Sequence, residues 1–321
     1  MRLQFIIPLL LTLTCATAAE FPEAQISNGL ITAKFYLPDA EKGYYRGTRF
    51  DWSGVIYSLK TKNHEYFGKW FPRYDPKLHD AIMGPVEEFK TGDSALGYQE
   101  AKPGETFIRI GVGVVKKEDD KPFDSFHTYE IVNAGKRSVK HGKDWIEFAH
   151  ELNDGKGYAY KYTKRVQLVK GKPEMILSHS LKNLGTKPIE TSQYNHNFFV
   201  MDDQPTGPAS KVKFPFELKL AQDPRDQNVE LQGQELVYKQ ELQPGQSAYR
   251  QLAGFGKTAA DYDIQATNAK AGTAVHIQGD QPLSKLVFWS IRSTFCPEPY
   301  IDLKAEPKKE LKWTYRYTFT E

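Results

Sequence analysis

The chain has 321 residues, of which 40% are hydrophobic and 13% aromatic, with a formal net charge of +3. That apolar content excludes an intrinsically disordered chain, and a length near 300 residues allows about 75% of the unfolded surface to be buried. Charges of both signs are interspersed, and the densest run, Lys116-Lys117-Glu118-Asp119-Asp120-Lys121, is itself mixed; with no basic block to gather phosphates, nucleic-acid binding is excluded.

The first segment carries Arg2, then the apolar run Phe5 to Leu13, then Thr17-Ala18-Ala19. This order reads as a cleaved signal peptide. The run is too short for a membrane span, which needs about 20 apolar residues. The expected cut follows Ala19, or Ala18, giving a periplasmic or secreted protein, with lipidation at Cys15 as the alternative. Loss of the leader leaves Cys296 as the lone thiol, so neither an internal disulfide nor a thiolate zinc site is available.

Beyond the leader, period-2 alternation dominates, as expected of strands with one buried face. In chain order it marks Ile26 to Tyr36, Gly54 to Leu59, Phe107 to Val115, Trp145 to Ala149, Tyr158 to Val169 and Met175 to Lys182. It continues through Val212 to Leu220, Tyr262 to Thr267, Ala274 to Gln278, Lys285 to Ile291 and Leu311 to Phe319. Pro215 breaks one ladder bond in its segment and predicts an edge or bulged strand. Gly- and Asn-containing turns, such as Asn183-Leu184-Gly185, separate the strands. The one helical expectation is a short piece around Pro76 to Phe89. Short strands with regular turns predict an all-β sandwich or barrel. No repeat or interdomain linker is visible, so residues 20–321 read as one domain.

Three stretches carry candidate chemistry. In Gln193-Tyr194-Asn195-His196-Asn197-Phe198-Phe199 a histidine, which titrates near neutrality, stands between two asparagines; it is either a proton-transfer group or a loop residue capping backbone. In Phe295-Cys296-Pro297-Glu298-Pro299-Tyr300 two prolines restrain the backbone around a carboxylate, as suits a positioned general base, or a rigid surface turn. Tyr44-Tyr45-Arg46-Gly47-Thr48-Arg49-Phe50-Asp51-Trp52 mixes planar donor forks with aromatic faces, which suits sugars, but also suits an Arg–Asp pair in a core connection. Glu87-Glu88 reads as a solvated acidic pair in a loop. His127, His141, His150, His179 and His276 show no metal-ligand spacing, and there is no dinucleotide, phosphate-loop or nucleophile-elbow motif, so no metal or cofactor is expected.

The order of these pieces resembles the galactose mutarotase-like superfamily, which includes the aldose 1-epimerases. The likeness covers most of the chain and is strongest over 164–199 and 274–319. It lies in Met175-Ile176-Leu177, the Asn183-Leu184-Gly185 turn, Asn195-His196-Asn197-Phe198-Phe199, and Glu298-Pro299 ahead of the closing strand Trp313 to Phe319. The resemblance implies a large antiparallel β-sandwich of the supersandwich type binding a carbohydrate on one face. It further implies His196 as general acid on the ring oxygen, Glu298 as general base on the anomeric hydroxyl, and Arg49, or its neighbour Arg46, holding a ring hydroxyl with Asn195 alongside. The family's early Asn-Arg pair and its His-Gly-Gly motif are missing, with His141-Gly142 the nearest echo. Two alternatives therefore stand beside mutarotation: a carbohydrate-binding protein without turnover, and a polysaccharide lyase or hydrolase using Glu87 or Glu88 as a second carboxylate.

Overall fold

A computed structural model describes residues 21–224 and 226–321. The expected signal peptide, with Cys15, lies outside the described residues.

The closing segment shows how the sequence builds the fold. In the strand Glu310–Thr320, Trp313, Tyr315, Tyr317 and Phe319 are buried and the residues between them are not. A large aromatic ring of this kind removes about 150–250 Å² from water, roughly 4–6 kcal/mol of transfer free energy each. This strand sits inside a ten-stranded antiparallel sheet, between Thr273–Gly279 and Glu174–Asn183, which leads on to Ala159–Leu168, Trp145–Asn153 and Lys136–His141. A six-stranded sheet packs against its aromatic face. Its order is Lys219–Leu220, Ser247–Ala253, Lys285–Ile291, Thr294–Ala305, Ile189–Phe198, Gly84–Lys90. Ile301, Leu303, Leu286 and Phe288 of the smaller sheet share one core with Tyr315, Tyr317 and Leu177 of the larger. Four-stranded and three-stranded sheets flank the sandwich. The all-β sandwich expected from alternation is what the chain forms.

Three local expectations are corrected. Among the described residues the helical content is one 3₁₀ turn, Ala259–Asp261. The stretch expected to be helical instead ends in the strand Gly84–Lys90. It opens at Gly84 with φ +76°, where a Cβ would stand 2.5 Å from the Ile56 carbonyl oxygen, so only glycine fits. Val212 to Leu220 is not one strand. Ser210–Lys213 joins the ten-stranded sheet and Lys219–Leu220 the edge of the six-stranded one, because Pro215 cannot continue the ladder and the chain crosses between layers. Phe107 to Val115 is a hairpin, Thr106–Arg109 with Gly113–Lys116, turned at Gly111 with φ +83°. No helix among the described residues is long and apolar enough to cross a membrane.

Candidate active site

Two of the three candidate stretches are strands of the six-stranded sheet, and the third, Tyr44 to Trp52, lies outside any strand. Ile189–Phe198 carries His196, and its neighbour Thr294–Ala305 carries Glu298. The prolines explain why a site forms there. Antiparallel pairing between the two strands runs from Ile189↔Ala305 to Tyr194↔Tyr300, stops, and returns at Phe199↔Phe295. The register is the same on both sides of the gap, so His196 stands directly across from Glu298. Phe199 donates its N–H to Phe295, which puts Asn197/Pro297 and Asn195/Pro299 at the hydrogen-bonding positions. Proline has no N–H to donate there. The Asn197 amide compensates in part by donating to the Pro297 carbonyl at 2.8 Å.

Across this gap His196 Nε2 stands 3.2 Å from Glu298 Oε1. Both residues are nearly enclosed, His196 at 4% and Glu298 at 5% exposure. The imidazole stacks on Phe198 at 3.8 Å between ring centres and meets the edges of Phe50 and Trp289. Its Nδ1 has no hydrogen-bond partner among the described residues. Burial in this aromatic setting, assisted by the Arg49 charge, holds His196 well below the usual imidazole range. Burial also raises Glu298 to about 8, against the opposing pull of Arg49. Both shifts favour the uncharged forms of the two groups over an ion pair.

Arg49 anchors the adjoining polar cluster. Its guanidinium donates to Glu88 at 3.0 Å, Asp80 at 2.9 Å and the Tyr194 hydroxyl at 3.3 Å. It lies between the rings of Phe50 and Phe126, 4.5 and 4.7 Å from their centres. Glu88 also accepts from the Tyr194 hydroxyl at 2.5 Å and from Arg109 at 3.1 Å. Burial alone would raise the Glu88 carboxyl, but Arg49 and Arg109 hold it below its ordinary value. Tyr194 in turn stacks on Tyr300 at 4.2 Å. Alternation on three neighbouring strands thus projects Glu88, Tyr194, His196, Glu298 and Tyr300 from one sheet face.

Glu87 and Glu88 are not a solvated pair. They are among the most buried acids of the chain, and as strand neighbours they face opposite ways. Glu87 points into the sandwich. There Lys164 donates to it at 2.6 Å and His179 Nε2 lies 3.6 Å away; burial raises its carboxyl to about 7, against the pull of Lys164. It is therefore on the wrong side of the sheet to partner Glu298.

Asn195 is corrected for the same reason. Its amide donates to the Tyr317 hydroxyl at 3.1 Å and its oxygen accepts from Gln193 at 2.5 Å, inside the sandwich. Arg46 stands apart from this cluster: its backbone amide donates to the Pro76 carbonyl, and its side-chain Nε is buried with no hydrogen-bond partner among the described residues. Among the described residues no bond joins Arg46 to Glu88, Tyr194 or Glu298. Of the residues expected from sequence, His196, Glu298 and Arg49 come together. Glu88, expected only as a candidate second carboxylate of a hydrolase, joins them as a partner of Arg49, and Arg109, Tyr194 and Tyr300 were missed. For Tyr194 and Tyr300 the signal existed, since each lies two positions from a candidate on an alternating strand; for Arg109, on a distant hairpin, there was none.

No protein-family model and no curated protein matches the chain. Solved structures do. The Slr1438 protein of Synechocystis sp. PCC 6803 is 12% identical with a TM-score of 0.58, over 99% of each chain. A putative aldose 1-epimerase of Escherichia coli K12 is 12% identical with a TM-score of 0.55, over 93% of this chain and 98% of that one. An aldose epimerase homologue of C. elegans is 13% identical with a TM-score of 0.56, over 95% of this chain and 99% of that one. At so low an identity the likeness is one of architecture, and by architecture this chain is a galactose mutarotase-like β-sandwich.

Proposed function

We propose that the His196–Glu298 pair interconverts the anomers of a free aldose in the manner of an aldose 1-epimerase. The observation that carries this reading is the direct opposition of an imidazole and a carboxyl, 3.2 Å apart, across a proline-interrupted ladder. Opening a cyclic hemiacetal needs a proton given to the ring oxygen and another taken from the anomeric hydroxyl. The shifted proton affinities favour Glu298 as donor and His196 as acceptor, the reverse of the roles implied by family resemblance. The Glu298 proton goes to the ring oxygen as the bond from that oxygen to the anomeric carbon breaks. The hydroxyl proton goes to His196 as the carbonyl forms. Arg49 stabilises the carboxylate so created. Rotation about the adjacent carbon–carbon bond and return of both protons then gives the other anomer, with no net proton change.

A sugar oxygen needs about 2.6–3.2 Å to each group, whereas the two stand 3.2 Å from one another. They must part to admit substrate. A contact this close also fits a second reading, a carbohydrate-binding protein in which the pair carries out no proton transfer.

Polarimetry on freshly dissolved α-glucose and α-galactose separates the two. The wild-type chain is expected to accelerate mutarotation, and Glu298→Gln or His196→Gln to lower the rate by about 10²–10⁴-fold. The rate is expected to hold through neutrality and fall as pH rises past about 8, where Glu298 loses its proton. No acceleration of any aldose, with calorimetric binding retained, would leave only the binding reading.

A further inference from the structure

A second polar cleft lies on the four-stranded sheet, away from the His196–Glu298 pair. It has a volume of about 410 Å³ and is lined by Tyr57, Lys34, Lys60, Lys69, Glu65 and Asp203, among others; ligand sites fall in the range of roughly 300–1,000 Å³. We infer that this cleft is a separate binding site for an acidic saccharide, with Tyr57 as its platform and Lys34 and Lys69 as its charge contacts. The saccharide part rests on the carbohydrate reading above; the charge part does not.

Tyr57 faces the cleft because of a register fault. Between Thr32–Tyr36 and Val55–Lys60, Lys34 pairs with Ser58 and Phe35 with Ile56, so Tyr57 is the unpaired extra residue of a β-bulge. Such bulges re-aim a side chain, and they are common beside binding sites. The ring is backed by a ladder of stacked tyrosines: Tyr36 at 4.2 Å, Tyr44 at 4.3 Å beyond it, and Tyr74 at 4.6 Å beyond that. A platform held in this way loses little freedom when a sugar ring lies against it.

Lys60 is paired with Glu65 at 2.9 Å. Lys34 and Lys69 are exposed and have no ion-pair partner among the described residues. Across from them Asp203, at φ +53°, directly follows Asp202 at φ +50°. Two successive non-glycine residues in the left-handed region are a strained arrangement, of the sort found at ligand sites. It is held in place by Asp202, whose carboxylate accepts the Glu65 amide at 2.7 Å and lies 2.6 Å from His64 Nδ1. The exposed Asp203 carboxylate is thereby presented to the cleft, where it can accept from sugar hydroxyls while the two lysines meet an acidic group.

Titration calorimetry with trigalacturonate, galactotriose and sodium sulfate tests the assignment. The full chain is expected to bind trigalacturonate, with affinity falling as salt rises. Galactotriose and sulfate are expected to bind at least tenfold more weakly. Lys34→Glu with Lys69→Glu, both at exposed positions, should weaken trigalacturonate at least tenfold while leaving mutarotation unchanged. Tyr57→Ala should do the same, and Glu298→Gln should bind as wild type. Equal binding of galactotriose or sulfate, no binding of trigalacturonate, or full affinity in the double lysine variant would each overturn the assignment. Loss of mutarotation alone, with these binding results intact, would instead count against the reading of His196 and Glu298.

Discussion

Glu87 and Lys164 form an ion pair in which each side chain is at most 1% exposed. A charge placed so deep is tolerated only while its partner is present. Lys164→Met is therefore expected to cost about 3–5 kcal/mol, read as a lower urea midpoint, and adding Glu87→Gln to recover much of that loss. Equal stability of the single and double variants would mean that Glu87 finds its compensation elsewhere. Glu298 makes a second residue-scale prediction. Its carboxyl is raised from 4.5 to about 8, so between those values the folded chain holds a proton that the unfolded chain has lost. Stability therefore declines as pH climbs through that window. Glu298→Gln should flatten the decline, making the variant more stable than wild type at pH 8 and above by on the order of a few kcal/mol. Parallel thermal-denaturation curves for the two proteins against pH would remove Glu298 from the buried titrating set.

At the scale of the element, the distinctive unit is the strand Thr294–Ala305, which keeps Pro297 and Pro299 at interior positions. If the missing amides create the gap in which the pair sits, Pro297→Ala should restore a bond to the Asn197 carbonyl. The new amide should be protected from hydrogen exchange, and mutarotation should fall by about 10–100-fold through misplacement of Glu298. A freely exchanging amide with an unchanged rate would show that the prolines play no such part. The strand that follows it, Glu310–Thr320, shows where reading the sequence succeeds. Leu311 to Phe319 alternates over a full strand length and was legible from period alone. Phe295 to Tyr300 was left open between a positioned general base and a rigid surface turn, because two prolines in six residues argue against a central strand; only the sheet shows both at ladder positions facing one neighbour. Glu87-Glu88 was misread for a related reason. Adjacent acids suggest solvent, and nothing local reveals that Lys164 and Arg109, from other strands, neutralise them on opposite faces. His196, Glu298 and Arg49 were singled out by the order of their motifs, which resembles that of the galactose mutarotase-like superfamily, whereas Asn195 was misplaced by one residue of alternation.

At the scale of the whole molecule, the two large sheets are joined by a polar seam as well as by apolar packing. Gln193 accepts from Trp313 at 3.1 Å and Tyr315 at 2.5 Å, and the Tyr317 hydroxyl donates to Asn197 at 2.8 Å. The seam and the candidate site share one strand, residue by residue in alternation. Cys296, the free thiol among the described residues, is fully buried beside them, so sheet packing and this seam hold the layers without a crosslink. The interrupted ladder has a mechanical consequence within that rigid frame. Elsewhere in the sheet, prising two strands apart would rupture main-chain bonds; between Tyr194 and Phe199 the two that Pro297 and Pro299 would donate are missing from the outset, and the Asn197 side chain bridges the stretch instead. The strand pair that carries the candidate site is thus also the place where the sheet is least tied along its backbone.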